Sequence, residues 1–502
     1  MTNDDGIRIV EAHPRTCEKQ QGAALLIVFL LMALGILSLL VTAASFNSAK
    51  IARDQVTTAA LAKAKEALLA YAVTYGDLNT NNVPGYLPCP DTGNGIEGQA
   101  NCPTSNPQDV TLIGRLPWKK LGIEPPHDGS GDCLWYIVSG TFKNTPPTAL
   151  MNWDTLGQIE VIGPDDGTVL AGVTADARAA AVIIAPGQAM AGQNRLLSAG
   201  AAECGGNYTA TNYLDSYMTT TVATTATGTI AAGTTINNAL VETVAGTPKI
   251  TRLIAAPTKP GGPFTDMVLV VTPTDIFNAV TQRRDFVTSI KKLTSEMALC
   301  VSAFGRTNSS SADLRLPVAA PVSLTNYGVN ANYLDNTGPF LAGRFPYRVQ
   351  YSKNQTGNPN YPASSSYALL RNAVSGCPWG TWETNWYNNW KDQFFYAVAK
   401  DFAANAPVAP PTTCGTCLTV DSLSTPYAAV VMFAGRKQGS QTRATAASKG
   451  TIGNYLDGAN STSYPNSGGN SNYQTPASLP VINDILYCIQ PGMTASDVLP
   501  CP

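Results

Sequence analysis

Few residues in this 502-residue chain stand in arrangements that could do chemistry. The sharpest is the CxxC of Cys414 and Cys417, the spacing of thiol–disulfide exchange sites. That activity needs a βαβ setting and a helix starting at the first cysteine. Here the Pro-rich run Pro407–Pro411 precedes the pair, and this loop setting favours a structural bridge. A zinc site would need a second pair at finger spacing, and none is present. Gly93, Gly95 and Gly98 fit GxGxxG, but a dinucleotide loop needs a strand before it and a helix after it. Neither is predicted. Asp91, Asn94 and Glu97 in the same loop could supply oxygen ligands to calcium, with a spacing unlike an EF-hand; a plain turn is the alternative. Trp379, Trp382, Trp386 and Trp390 crowd into WGTWETNWYNNW beside Tyr387. Such a cluster stacks sugar rings or bases, or else fills a core. With only His13 and His127 in the chain, a Ser/His/acid triad or a His-rich metal site has little to work with. No catalytic residue is assigned, and no cofactor beyond the calcium loop.

The elements that must position these residues follow from composition. Only 13% of the chain is charged and the formal net charge is −2, against roughly 25% charged in an ordinary soluble domain. No basic field is available for general nucleic-acid binding. From Gln20 to Ala49 there is no charged residue, and within that window Ala23–Phe46 is 24 residues of almost unbroken apolar sequence. As a helix it spans about 36 Å, enough to cross a bilayer. Arg15 and Lys19 on its N-terminal side favour a cytoplasmic N-terminus, while Lys50 and Arg53 oppose it. A secretory signal cut near Ala43–Ser45 is an alternative, but its apolar region would be shorter. Residues 47–75 contain neither Gly nor Pro, and Leu61, Ala64, Leu68, Tyr71 and Tyr75 recur at helical steps. The helix is predicted to stop at Gly76.

Gln20, Gln21 and Gly22, followed by AALLIVFLLM, resemble the processing signal of type IV prepilins and type II secretion pseudopilins. The likeness covers roughly Lys19 to Gly76. It implies that a prepilin peptidase cuts between Gly22 and Ala23, and that Ala23 is methylated. It also implies partnership with other pilins, with the apolar helix packed in a filament core. Two features depart from the family: the leader is long, and the fifth mature position, usually Glu, is Ile27. The family's Glu pairs with the charged N-terminus of a neighbouring subunit. A subunit without that neighbour does better with an apolar residue there, so Ile27 implies a place at or near the tip.

The rest of the chain repeats itself. Ala67–Gly76 matches Glu296–Gly305, Leu87-Pro88 matches Leu316-Pro317, and Gly114–Trp118 matches Gly343–Tyr347, all at an offset of 229. Further on, Trp135–Val138 matches Phe395–Val398. Ala181–Gly187 with Gln193 and Arg195 matches Ala429–Gly435 with Gln441 and Arg443. Asn212–Asp215 matches Asn454–Asp457, and Asp266 matches Asp484. Each copy reads as a helix followed by short apolar strands. These are Leu134–Val138, Ala180–Ala185 and Met267–Val271, then Phe394–Val398, Ala428–Phe433 and Ile485–Ile489. The second helix is predicted over Pro273–Phe304, opened by a polar cap and proline. Thr219–Thr247 reads as an exposed excursion between strands. Arg115 and Arg344, at matching positions, are expected to hold backbone carbonyls, tying helix to sheet.

The expected fold is therefore α+β, with a leader (1–22), a transmembrane helix (23–46) and two tandem pilin-like units, each a helix on an antiparallel sheet (47–272 and 273–502). Setting aside Cys17 in the leader leaves ten cysteines, expected to pair outside the cytosol. Cys89–Cys102, Cys488–Cys501 and Cys414–Cys417 are the candidate closures. The expected function is a minor pilin or pseudopilin, held in the bacterial inner membrane with its globular part periplasmic, or carried into an extracellular pilus. The alternative is a permanently anchored, adhesin-like binding protein.

Overall fold

Ala, Leu, Lys and Glu dominate residues 47–75, which makes helix the favoured local state. The computed structural model describes residues 21–103, 108–147, 150–197, 202–241, 243–244, 249–255, 264–307, 316–335, 341–350, 367–372, 376–403, 414, 416–463, 472–476 and 483–502. It places helix α1 at Gln21–Leu78. Leader residues 1–20, and the side chains of Gly22, Ala23 and Ile27 within α1, lie outside the described residues. Among the described residues no helix is long and apolar enough to cross a membrane. Met1–Val56 is one unit and Thr57–Pro502 another.

The stripe read from the sequence is the buried face of α1. Leu61, Ala64, Leu68, Tyr71 and Tyr75 are all buried, in one core with Tyr136, Val138, Ala181, Ile183 and Ala185. Each large apolar side chain so placed contributes about 1.5–3 kcal/mol. The helix does not stop at Gly76. It runs on to Leu78, and Gly76 is where the Asn82 carbonyl approaches: a Cβ there would lie 2.7 Å from that oxygen.

The sheet under α1 has strands β1 (Leu112–Arg115), β2 (Trp135–Val138), β3 (Ala181–Ala185) and β4 (Met267–Val271), antiparallel in that order. β2 and β3 are buried along their whole length because both faces are covered. One face meets α1. On the other, Trp135, Ile137, Val182 and Ile184 pack on a second sheet that the sequence reading missed. Its order is Thr243–Val244, Ile250–Ile254, Ile159–Ile162, Val169–Ala171, and Ile250–Ile254 runs parallel to Ile159–Ile162. The Thr219–Thr247 stretch is likewise not a bare excursion. It contains short strands at 223–225, 228–230 and 235–237, anchored by Ala223, Ile230 and Ile236 against Ile162, Ile254 and Phe264.

The second half begins with α2 (Pro273–Thr281) and α3 (Arg284–Thr307). Thr272 and Asp275 form the expected cap: the Asp275 amide donates to Thr272 Oγ1 at 3.0 Å and the Thr272 amide to Asp275 Oδ2 at 2.8 Å. The single helix expected over 273–304 is broken at Gln282–Arg283. Arg283 spends its guanidinium on Asp285, on Asp77 (2.7 Å) and on the Val73 carbonyl (2.8 Å), which fixes the break against the end of α1. Lys65 secures the other end, 2.9 Å from Asp275.

The sheet of the second half runs β5 (Ala342–Arg344), β6 (Phe394–Val398), β7 (Ala429–Phe433), β8 (Ile485–Ile489) and β9 (Val498–Pro500), all antiparallel, with α3 against β7, β8 and β9. Strands at the sequence-matched positions take equal places and registers. Arg115 sits opposite Trp135 and Arg344 opposite Phe395. Trp135 sits opposite Ile184 and Phe395 opposite Met432. Ala185 sits opposite Met267 and Phe433 opposite Ile485.

The halves share aromatic core. Trp153 of the first half lies 4.7 Å from Trp390, which ends α4 (Thr381–Trp390), and 5.5 Å from Phe433, centroid to centroid. Five disulfides add covalent ties. Cys89–Cys102, Cys414–Cys417 and Cys488–Cys501 are the local closures read from the sequence; Cys133–Cys204 and Cys300–Cys377 are long-range.

Non-reducing peptide mapping should recover these five pairs, with most of the ten thiols blocked to alkylation before reduction. Trp390→Ala should cost about 3–5 kcal/mol. Because its ring bridges the halves, near-UV circular dichroism and tryptophan fluorescence should then report one shared denaturation transition at lower denaturant, and not the loss of the second half alone.

Candidate functional site

The loop with calcium-like spacing is a clamp. Asp91 is buried; its Oδ1 accepts from the Gly93 amide (3.0 Å) and its Oδ2 from the Gly98 amide (2.7 Å) and the Tyr208 hydroxyl (3.0 Å). Glu97 accepts from the Glu203 and Cys204 amides, both at 2.8 Å. Asn94 is exposed, its amide turned to Thr92. The two carboxylates are spent on N–H and O–H donors from different segments, so the three side chains do not converge as a cation cage. Among the described residues no group of three His, Cys, Asp or Glu is placed to hold a metal. The glycines answer to packing: Gly98 has φ 75°, and a Cβ there would meet the Trp118 ring at 2.4 Å.

Of the two readings of the tryptophan cluster, the core one holds for three of its four members. Trp379, Trp386 and Trp390 are buried and cannot form a ligand surface. Trp379 packs among Phe345, Tyr347 and Tyr387, and Trp390 among Trp153, Phe286 and Phe433. Trp382 alone is partly exposed, with the Lys292 ammonium 3.9 Å from its ring. With Trp386 it borders a small cleft of about 120 Å³. Beside it Lys292 bridges Glu383 (2.6 Å) and Glu296 (3.2 Å). Burial and the neighbouring Glu383 push the Glu296 carboxyl up to about 7. Glu383 also accepts from the Gly380 amide at 2.7 Å, so this carboxylate pair holds the start of α4. Cys414–Cys417 is bonded, and it leads into the short strand Thr419–Val420, not into the helix that redox chemistry needs.

The most organised polar constellation is present twice. Arg195 and Arg443 donate to the carbonyls of Asn212 and Asn454, of Gly187 and Gly435, and of Tyr213 and Tyr455. Gln193 and Gln441 donate to Asp215 (3.0 Å) and Asp457 (3.1 Å). The amides of Asp215 and Asp457 donate to the buried Asp266 (2.9 Å) and Asp484 (3.0 Å). Asn238 and Asn460 donate to the same two carboxylates, both at 2.9 Å. Arg115 and Arg344 also reach backbone carbonyls, but not those of α1 or α3, the helices laid on the sheets: Gly205 and Asn207 in one case, Val322, Asp392 and Lys449 in the other. Tyrosine rings flank them, Tyr213 at 5.3 Å and Tyr455 at 4.7 Å. The repeat had matched these residues, but sequence carries no sign of their hydrogen bonds. Nor does it carry any sign of Glu160, wholly buried and clamped by Arg178, Arg252 and Thr227 in the second sheet.

At the junction of the halves a small cleft of about 120 Å³ is bordered by Trp153, Asp154, Phe277, Arg436, Lys437 and Arg443. Lys437 pairs across it with Asp176 at 2.9 Å, and Arg443 with Asp154 at 3.3 Å. This arrangement joins two halves; it assembles no nucleophile with a base.

Burial pushes the Asp484 carboxyl up to about 7, with Asp457 adding to the rise. In the unfolded chain it titrates near about 4. A raised folded value means that its contribution is complete below about pH 4 and is lost as pH rises through about 7. Relative to Asp484→Asn, which does not titrate, the wild type should lose on the order of 4 kcal/mol between those limits. Urea unfolding of both proteins across that range reads the difference; a constant gap would refute the raised value.

The chain matches no protein-family profile, no curated protein and no solved structure.

Proposed function

We propose that this chain is a pilin-like subunit, a minor pilin or pseudopilin of a type IV pilus or type II secretion filament. The observation that carries the reading is the junction at Gly22: an uncharged apolar run begins at once, and helix continues without a break to Leu78. The C-terminal part of that helix lies on an antiparallel sheet of the globular fold. A second helix-on-sheet unit comes after it, which supports a duplicated pilin-like head. The five disulfides suit a globular part outside the cytosol. In this reading a prepilin peptidase cuts after Gly22, Ala23–Phe46 holds the subunit in the inner membrane, and other pilins are its partners. The work is assembly, not catalysis.

Ile27 refines the position. A carboxylate in an apolar helix bundle needs a cationic partner, and a subunit with no neighbour above it has none. An isoleucine there, with a head of more than 400 residues beyond Phe46, suits a low-copy subunit that starts or caps the filament.

Intact-mass and N-terminal mass spectrometry of the mature protein should find Ala23, methylated, as the first residue. A Met1 terminus would favour the permanently anchored binding protein, and a terminus beyond Ala43 a secreted one. Immunogold labelling should decorate filament ends; uniform labelling along the shaft would rule out the tip. Ile27→Glu should impair assembly, and an unimpaired filament would count against an apolar, partnerless site.

A further inference from the structure

Near the turn after α1 an open cavity of about 550 Å³ is bordered by Asn82, Tyr86, Asn330, Asn385, Asn388 and Lys391. Its size is within the range of small-molecule sites. Lys391 is 1% exposed, and its ammonium has no hydrogen-bond partner among the described residues. The adjacent carboxylate is already committed: Asp392 Oδ2 accepts from Lys449 at 2.8 Å and Oδ1 from Asn152 at 2.9 Å. Burial pulls the Lys391 amine down to about 8, against the opposing pull of Asp392. An ammonium on the wall of a cavity, with no protein acceptor, is free to donate a charge-assisted hydrogen bond to a ligand that supplies one.

The amides around it divide into used and unused. Asn389 is fully employed: its Oδ1 accepts from Tyr86 (3.2 Å) and from the Met151 amide (2.9 Å), and its Nδ2 donates to the Asn385 carbonyl (2.9 Å). Asn330 donates to Asn388 Oδ1 at 2.8 Å, leaving its own Oδ1 buried with no partner. The Nδ2 of Asn388 and the side-chain amides of Asn82 and Asn385 have no partner among the described residues. One ammonium matches one carboxylate. Amides that both donate and accept match neighbouring hydroxyls, and Tyr86 and Pro147 add apolar wall.

We propose that this cavity binds an acidic sugar, its carboxylate on Lys391 and its hydroxyls on Asn82, Asn385 and Asn388. The proposal stands whether or not the chain enters a filament. The test uses the full-length protein with ¹⁵N-labelled lysine, titrated with glucuronate, a glucuronate-terminated disaccharide, glucuronate methyl ester and acetate. The Lys391 titration midpoint should rise with glucuronate and with the disaccharide. The methyl ester and acetate should each bind about tenfold or more weakly, the loss expected when a charge-assisted contact or its supporting hydrogen bonds are removed. Tighter disaccharide binding would identify the end of a glycan as the source, and equal binding a single sugar. Lys391→Met should abolish glucuronate binding, and Asn388→Ala should weaken it without moving the unliganded Lys391 midpoint. Because Lys391→Met removes a buried side chain, the wild-type titration decides if that variant fails to fold. No midpoint change with either acid would overturn the proposal, and so would acetate binding as well as glucuronate.

Discussion

The arginine that gathers the ends of its own loops is the contact on which each half depends. Arg195 and Arg443 each collect three carbonyls from two separated segments, and a buried aspartate, Asp266 or Asp484, collects amides from the same neighbourhood. Long loops leave many backbone groups to satisfy. A planar guanidinium with five donors and a carboxylate with two acceptor oxygens satisfy them at one point. The strands remain short because loop ends are fixed by side chains and not by longer ladders.

The two copies use that contact differently where it counts. Just ahead of the matched strands, the first half has Cys133, bonded to Cys204, where the second has Gln393. Gln393 accepts from Arg443 (2.8 Å) and donates to Asp154 of the first half (2.6 Å). One residue earlier, Asp132 pairs with Arg195 within its own half, whereas Asp392 also receives Asn152 from the other. The first copy closes on itself covalently; the second turns the same positions outward to dock.

Much of this was legible in the residues. The α1 stripe, the six core strands, the α2 cap and the three local disulfides come from periodicity, capping chemistry and cysteine spacing. The illegible part depended on tertiary context. Ile159–Ile162 and Ile250–Ile254 are each interrupted by a charged residue, Glu160 and Arg252, and they pair in parallel across a long separation. The break at Arg283 depends on Asp77, 206 residues away. Asp91 and Glu97 looked like cation ligands because sequence shows carboxylates but not the amides that occupy them. The tryptophans were ambiguous because spacing on one short helix cannot say whether a second body covers it, and Trp153 does.

That cover argues that the chain is duplicated in pattern but single in stability. Separated from the first half, the second would keep its whole sheet yet expose Trp390 and Phe433 and leave Gln393 and Asp392 short of partners. The first would expose Trp153 and leave Asp154 without Arg443. Each large ring so exposed forfeits about 1.5–3 kcal/mol of burial, and several together are comparable to the net stability of a whole domain. A half that must expose such groups has little margin to fold without its neighbour. The repeat therefore supplied two frames, and the residues that differ between them made one body.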